Sequence, residues 1–141
     1  MKRTATAQWK GTNKEGVGTL NTQSGAIAAM PYTYKGRFVD ESGKSGTNPE
    51  ELIAAAHSAC FSMQFSGVLT ANGTPPAEIN ATAAVEIIQG TGITSSALTV
   101  TASVPGLDAS KFAELAEKAK ALCPVSRALG AINVTVDARL A

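Results

Sequence analysis

The 141-residue sequence predicts an α+β domain built from antiparallel sheets, a buried central helix and a second, amphipathic helix. Three observations carry that prediction. Short alternating runs near both ends read as strands. Residues 52–77 contain no Asp, Glu, Lys or Arg. The strands come in hairpins, whereas a doubly wound chain would alternate them singly with helices. At this length one domain over residues 1–141 is expected, large enough to bury a core of its own.

Each element has a local reason. Residues 4–10 alternate polar side chains with Ala5, Ala7 and Trp9, and "GTNKEG" turns the chain. Residues 17–22 and 26–30 add two strands around a turn at "QSG", giving an antiparallel meander. The segment "GRFVDESGKSGT" at 36–47 has three glycines, mixed charge and no periodicity, so it reads as a surface loop carrying Arg37. Asn48 suits an N-cap, Pro49 the first helical position and Glu51 the capping-box register, so a helix should run to about Ala71, where "NGTPP" stops it. Glu50 and Glu51 also suit the positive end of its dipole. A helix apolar nearly all round must be surrounded by protein, and its Ala, Ser and Gly side chains admit a second helix closely. Burial in an intertwined oligomer is the expectation.

"INATAAVEII" and "TSSALTVTASV" form a hairpin around "QGTG", with Leu98, Val100, Ala102 and Val104 on one face. Asp108 caps the amphipathic helix, in which Phe112, Leu115, Ala116, Ala119 and Cys123 recur at helical spacing and Glu114 and Lys118 stand in i,i+4 register. Pro124 breaks the helix at Cys123 and opens a further short turn through Ala128. Residues 132–140 alternate as a final half-buried strand.

Composition removes several function classes. A net charge of +1 and a pI near 7.8 give no single-sign field to hold nucleic acid or an anionic membrane, and 5% aromatic content leaves few stacking platforms. "MKRTATAQWK" lacks the apolar run of a secretory signal, so a cytoplasmic protein is expected. His57, Ser58, Ser62, Gln64 and Ser66 interrupt the most apolar helix, which reads as a core helix and not a membrane span. Cys60 and Cys123 show no C-x-x-C spacing, which argues against a zinc site or a thioredoxin-like motif. In a reducing cytosol a purely structural bridge between them is not expected, but a transient one stays open. No P-loop, H-E-x-x-H, G-x-S-x-G or dinucleotide fingerprint is present, and no cofactor or metal is expected.

Cys60 has two readings, a small core hydrophobe or a thiolate nucleophile assisted by His57 one turn earlier and by the arginine-bearing loop. Cys123 has the same two, with the helix break at Pro124 favouring a reactive thiol. If both cysteines face one core they form a redox couple, one oxidised to a sulfenic acid and the other condensing with it. His57 is either a packed side chain or half of a Cys–His dyad for acyl transfer or hydrolysis, which would also need an oxyanion hole. On composition alone Arg37 is a loop cation and Glu50 a first-turn acid.

Taken together, "PYTYKGRF" at 31–38, "GTNPEELIAAAHSACFSM" at 46–63 and "VPGLDASKF" with "KAKALCPVS" within 104–126 resemble the OsmC branch (osmotically inducible protein C) of the OsmC/Ohr family of thiol-dependent peroxidases. The resemblance implies an intertwined homodimer with two equivalent active sites at its interface. It also implies that Cys60 is the peroxidatic cysteine, Cys123 the resolving cysteine, and Arg37 and Glu50 the pair that activates the thiolate. Organic hydroperoxides would be preferred over hydrogen peroxide, and a dithiol of the lipoyl type, carried on a lipoylated protein, would reopen the disulfide. Glu50 and Cys60 stand about 80° apart on the helix and about three turns along its axis, so the arginine would have to bridge them. A non-catalytic protein on the same fold is the remaining alternative.

Overall fold

The computed structural model describes residues 1–141, which divide into two compact units, Met1–Pro49 and Glu50–Ala141. The first unit is an antiparallel sheet of β1 (Ala5–Lys10), β2 (Val17–Thr22) and β3 (Met30–Thr33), in that order. Gly18 pairs with Trp9 on one side and Tyr32 on the other. The Tyr32 ring lies where a Cβ at position 18 would stand. The absent side chain lets Trp9 and Tyr32 meet across the strand, with ring centroids 5.3 Å apart.

Two elements differ from the sequence expectation. The third strand lies at Met30–Thr33 instead of 26–30, because Thr22 N–H donates to the Ile27 carbonyl (2.9 Å) while its hydroxyl accepts from Ile27 N–H (3.0 Å). Ala29 then takes a left-handed φ of 49°, which interrupts any extended run. Arg37 sits not in a loop but on α1 (Tyr34–Phe38), a helix capped by the Thr33 hydroxyl accepting from Gly36 N–H at 2.9 Å. The following loop is organised by the Asp40 carboxylate, which accepts from the Ser42 hydroxyl (2.6 Å), Ser42 N–H (2.9 Å) and Ser45 N–H (3.0 Å). Led by the Ser42 hydroxyl, these bonds hold its pKa well below the usual carboxylate range.

The second unit carries most of α2 (Pro49–Ala71), together with β4 (Glu78–Ile88), β5 (Gly92–Ser103), α3 (Ala109–Leu122), α4 (Pro124–Ala128) and β6 (Asn133–Leu140). The helix α2 begins at Pro49 and ends before "NGTPP", as its sequence predicts. The β4–β5 hairpin is antiparallel, with an irregularity between Glu86 and Ile87. One pairing departs from the antiparallel expectation: β6 runs parallel to β5, because the chain returns to the sheet through α3 and α4 instead of a tight turn. The Asp108 carboxylate caps α3 by accepting from Lys111 N–H at 3.0 Å. Glu114 receives Lys111 Nζ at 2.8 Å, one turn back, rather than the expected Lys118.

The core joins Phe61, Phe65 and Leu69 of α2 to Leu98, Val100 and Ala102 of β5 and to Phe112, Leu115, Ala116 and Ala119 of α3. Phe65 is its hinge, with ring centroids 5.6 Å from Phe61 and 5.1 Å from Phe112. By length and composition α2 would suffice to cross a bilayer, yet its Phe61, Phe65, Val68 and Leu69 are packed into protein. Only one face of this helix is covered within a single chain. Ala55, Ala56, Ala59, Met63 and Gly67 are exposed, Met63 at 74%.

Candidate active site

Cys60 projects from the middle of α2, half-buried beside the core, because Phe61 takes the neighbouring inward position. Cys123 ends α3 and begins α4. Pro124 lacks an N–H and cannot extend α3, so Cys123 adopts an extended ψ of 119° and its side chain caps the new helix. Its Sγ accepts from Ser126 N–H at 3.5 Å. The two sulfurs, 63 residues apart in sequence, share a hydrogen bond at 3.5 Å, and both thiols are free.

The pair does not ionise symmetrically. Burial pushes the Cys60 thiol up, and the adjoining Cys123 adds to this against an opposing hydrogen bond from the Val125 backbone. Burial also works to raise Cys123, but bonds from the Ser126 hydroxyl and N–H, from Cys60 and from the Val125 backbone outweigh it and lower its pKa. A cation beside Cys60 would favour its thiolate.

His57 is fully buried one turn before Cys60. Its Nδ1 shares a hydrogen bond with Ser96 Oγ at 2.7 Å and its Nε2 with Ser126 Oγ at 2.8 Å. Both ring nitrogens are thus taken by serines, leaving none for a Cys–His dyad. Burial holds its pKa below the ordinary 6.5 and so favours the neutral ring in the fold. The unfolded chain takes up its proton at higher pH than the fold does, so stability should decline as the pH falls below 6.5, with a slope of at most about 1.4 kcal/mol per pH unit. Urea denaturation at pH 7 and pH 5 checks this: His57→Gln should flatten the difference, and an unchanged slope would refute it.

Ser96 and Ser126 were not singled out from sequence. Ser96 carries a readable signal, being in step with Leu98, Val100 and Ala102 on the buried face of β5. A polar residue on that face needs a partner. Ser126 has a weaker one, the third helical position after a Cys–Pro cap.

Arg37 lies in the other unit, its guanidinium 4.9 Å from the Phe38 ring centroid. It lines a cleft of about 310 Å³ with Trp9, Asn13, Tyr32, Tyr34 and Phe38. Glu50, in the first turn of α2, is only 7% exposed. A carboxylate so buried requires a charged or hydrogen-bonding partner. No cluster of three or more His, Cys, Asp or Glu side chains able to hold a metal is present.

Residues 41–138 match the family model described as OsmC-like protein. Peroxiredoxin OsmC of Escherichia coli (strain K12) is 47% identical over 137 residues, covering 95% of this chain and 93% of that protein. The organic hydroperoxide resistance protein of Xanthomonas axonopodis pv. citri is 35% identical over 102 residues, covering 71% and 72%. The crystal structure of the organic hydroperoxide resistance protein OhrB of Bacillus subtilis shares the fold, with a TM-score of 0.71 at 24% identity over 96% of this chain and 98% of that one.

Proposed function

We propose that this chain, which belongs to the OsmC-like protein family, is a thiol-dependent peroxidase that reduces organic hydroperoxides to alcohols. The observation that carries this reading is the 3.5 Å approach of Cys60 and Cys123 from helices distant in sequence. The Cys60 thiolate attacks the distal peroxide oxygen; the O–O bond breaks, an S–OH bond forms, and the alkoxide takes a proton to leave as alcohol. Cys123 then displaces hydroxide from the sulfenic acid to close the disulfide.

Arg37 is assigned the cationic role that Cys60 lacks within its own unit. A guanidinium is always charged and offers a planar fork to both peroxide and carboxylate, so it would bring the first thiolate to Cys60. Glu50, a buried acid, is assigned to hold it. Met63, three residues on from Cys60 along α2, is an exposed apolar side chain, in keeping with organic over inorganic peroxide. A dithiol of the lipoyl type, carried by a lipoylated protein, would reopen the disulfide by exchange, leaving two thiols and an oxidised dithiol.

Further proposals are one functional domain over residues 1–141, a cytoplasmic location and a homodimer. The family match running across the boundary between residues 49 and 50 supports the first. For the homodimer, the support is the uncovered face of α2 and β1, which is exposed along its whole length with Trp9 at 37%. The acyl-transfer alternative is disfavoured by the serine partners of His57.

The test is one equivalent of cumene hydroperoxide followed by thiol titration and peptide mass spectrometry. Loss of both free thiols with a Cys60–Cys123 disulfide is expected. Two unreacted thiols would overturn the proposal.

A further inference from the structure

We infer that His57 is a positioning residue for the resolving step: clamped between Ser96 and Ser126, its ring holds α4 so that Cys123 faces Cys60 with its hydrogen bonds in place. The inference rests on the assignment of Cys60 and Cys123 as peroxidatic and resolving cysteines.

The chemistry of Cys60 makes no use of His57, yet the ring is fully buried one turn away and both its nitrogens are occupied. The three groups it joins lie on different elements, His57 on α2, Ser96 on β5 and Ser126 on α4. Of these, α4 has the least hold of its own. It is five residues long, far below the length at which a helix sustains itself, and it begins at a proline that gives no N–H. The Ser126 hydroxyl anchors it from within its first turn, and the N–H of the same residue meets Cys123 Sγ.

A neutral imidazole has one donor and one acceptor, so one serine donates to the ring while the other accepts from it, and both contacts are satisfied at once. Resolution requires the sulfurs to close from 3.5 Å to a bond of about 2.05 Å, an approach that a loosely held α4 would make rarely. In that step the Cys123 thiolate attacks the sulfur of Cys60 sulfenic acid; the S–S bond forms, the S–O bond breaks, and the departing hydroxide takes a proton to become water.

The test compares wild type with Ser126→Ala, His57→Asn and His57→Gln. Each is treated with one equivalent of cumene hydroperoxide in the presence of dimedone, and peptide mass spectrometry measures Cys60 sulfenic acid adduct against disulfide. Ser126→Ala removes the anchor hydroxyl, and Asn reaches only the Ser96 side. Both should accumulate adduct and close the disulfide about tenfold more slowly, the scale of one lost hydrogen bond. His57→Gln offers an amide where Nε2 stood and should restore closure. Wild-type closure in Ser126→Ala overturns the inference even if His57→Asn fails to fold, and equal slowing in folded His57→Gln overturns it as well. If wild type forms neither adduct nor disulfide, the peroxidase reading fails. Closure driven by diamide, which accepts the Cys60 thiolate and leaves as a hydrazine when Cys123 attacks, then judges the positioning role with the same variants.

Discussion

Cys60→Ser is expected to abolish hydroperoxide reduction, a loss of several orders of magnitude, whereas Cys123→Ser should consume one equivalent of peroxide and stop with a sulfenic acid on Cys60. The difference follows from the chemistry of the two steps. A serine hydroxyl stays protonated near neutral pH and is a poor nucleophile toward peroxide oxygen, while a thiolate is highly nucleophilic. Replacement of Cys123 leaves that first attack in place and removes only the group that completes it. Ferric–xylenol orange assay of residual hydroperoxide without added reductant reads both outcomes. Peroxide loss in Cys60→Ser equal to wild type would sink the assignment, and no loss in folded Cys123→Ser would move the first step away from Cys60.

The second large effect concerns stability. Phe65→Ala should destabilise the fold by about 3–5 kcal/mol, the usual range for removing a buried aromatic ring. Phe65 is fully buried and its ring contacts Phe61 on its own helix and Phe112 on α3, so truncation leaves a void bordered by two rigid rings. Against a net stability of about 5–15 kcal/mol, such a loss takes a large part of the whole. Urea denaturation followed by far-UV circular dichroism measures it. A change below about 1 kcal/mol would mean that the core around Phe65 collapses or is not closely packed.

The parts of the fold that sequence made legible are those fixed by local chemistry. Pro49 and "NGTPP" bound α2, Asp108 caps α3 through Lys111, and Pro124 ends α3 at Cys123. Each is a backbone requirement stated within a few residues. The parallel entry of β6 was not legible, because alternation tells which side chains face inward and nothing about strand direction. Nor was α1, whose five residues are too few for a period. In the site, apolar helical spacing placed Cys123 on an inward face, and the structure brings it to Cys60. The resemblance assigned their order of action, but the lower thiol pKa of Cys123 within its own unit was not foreseen, since it depends on the N–H and hydroxyl of Ser126 in a helix geometry that the sequence states only weakly. The partners of His57 lie 39 and 69 residues away, and no local pattern pairs them.

The Ser96–His57–Ser126 clamp also restricts the routes by which this core can drift during evolution or redesign. Loss of any one member strands a buried donor or acceptor, at a cost of about 1–3 kcal/mol, while exchange of all three for apolar groups of matching shape could be nearly neutral for folding. The trio therefore behaves as one mutational unit. Single steps lead downhill, and a stable alternative lies beyond a valley that three concerted changes must cross.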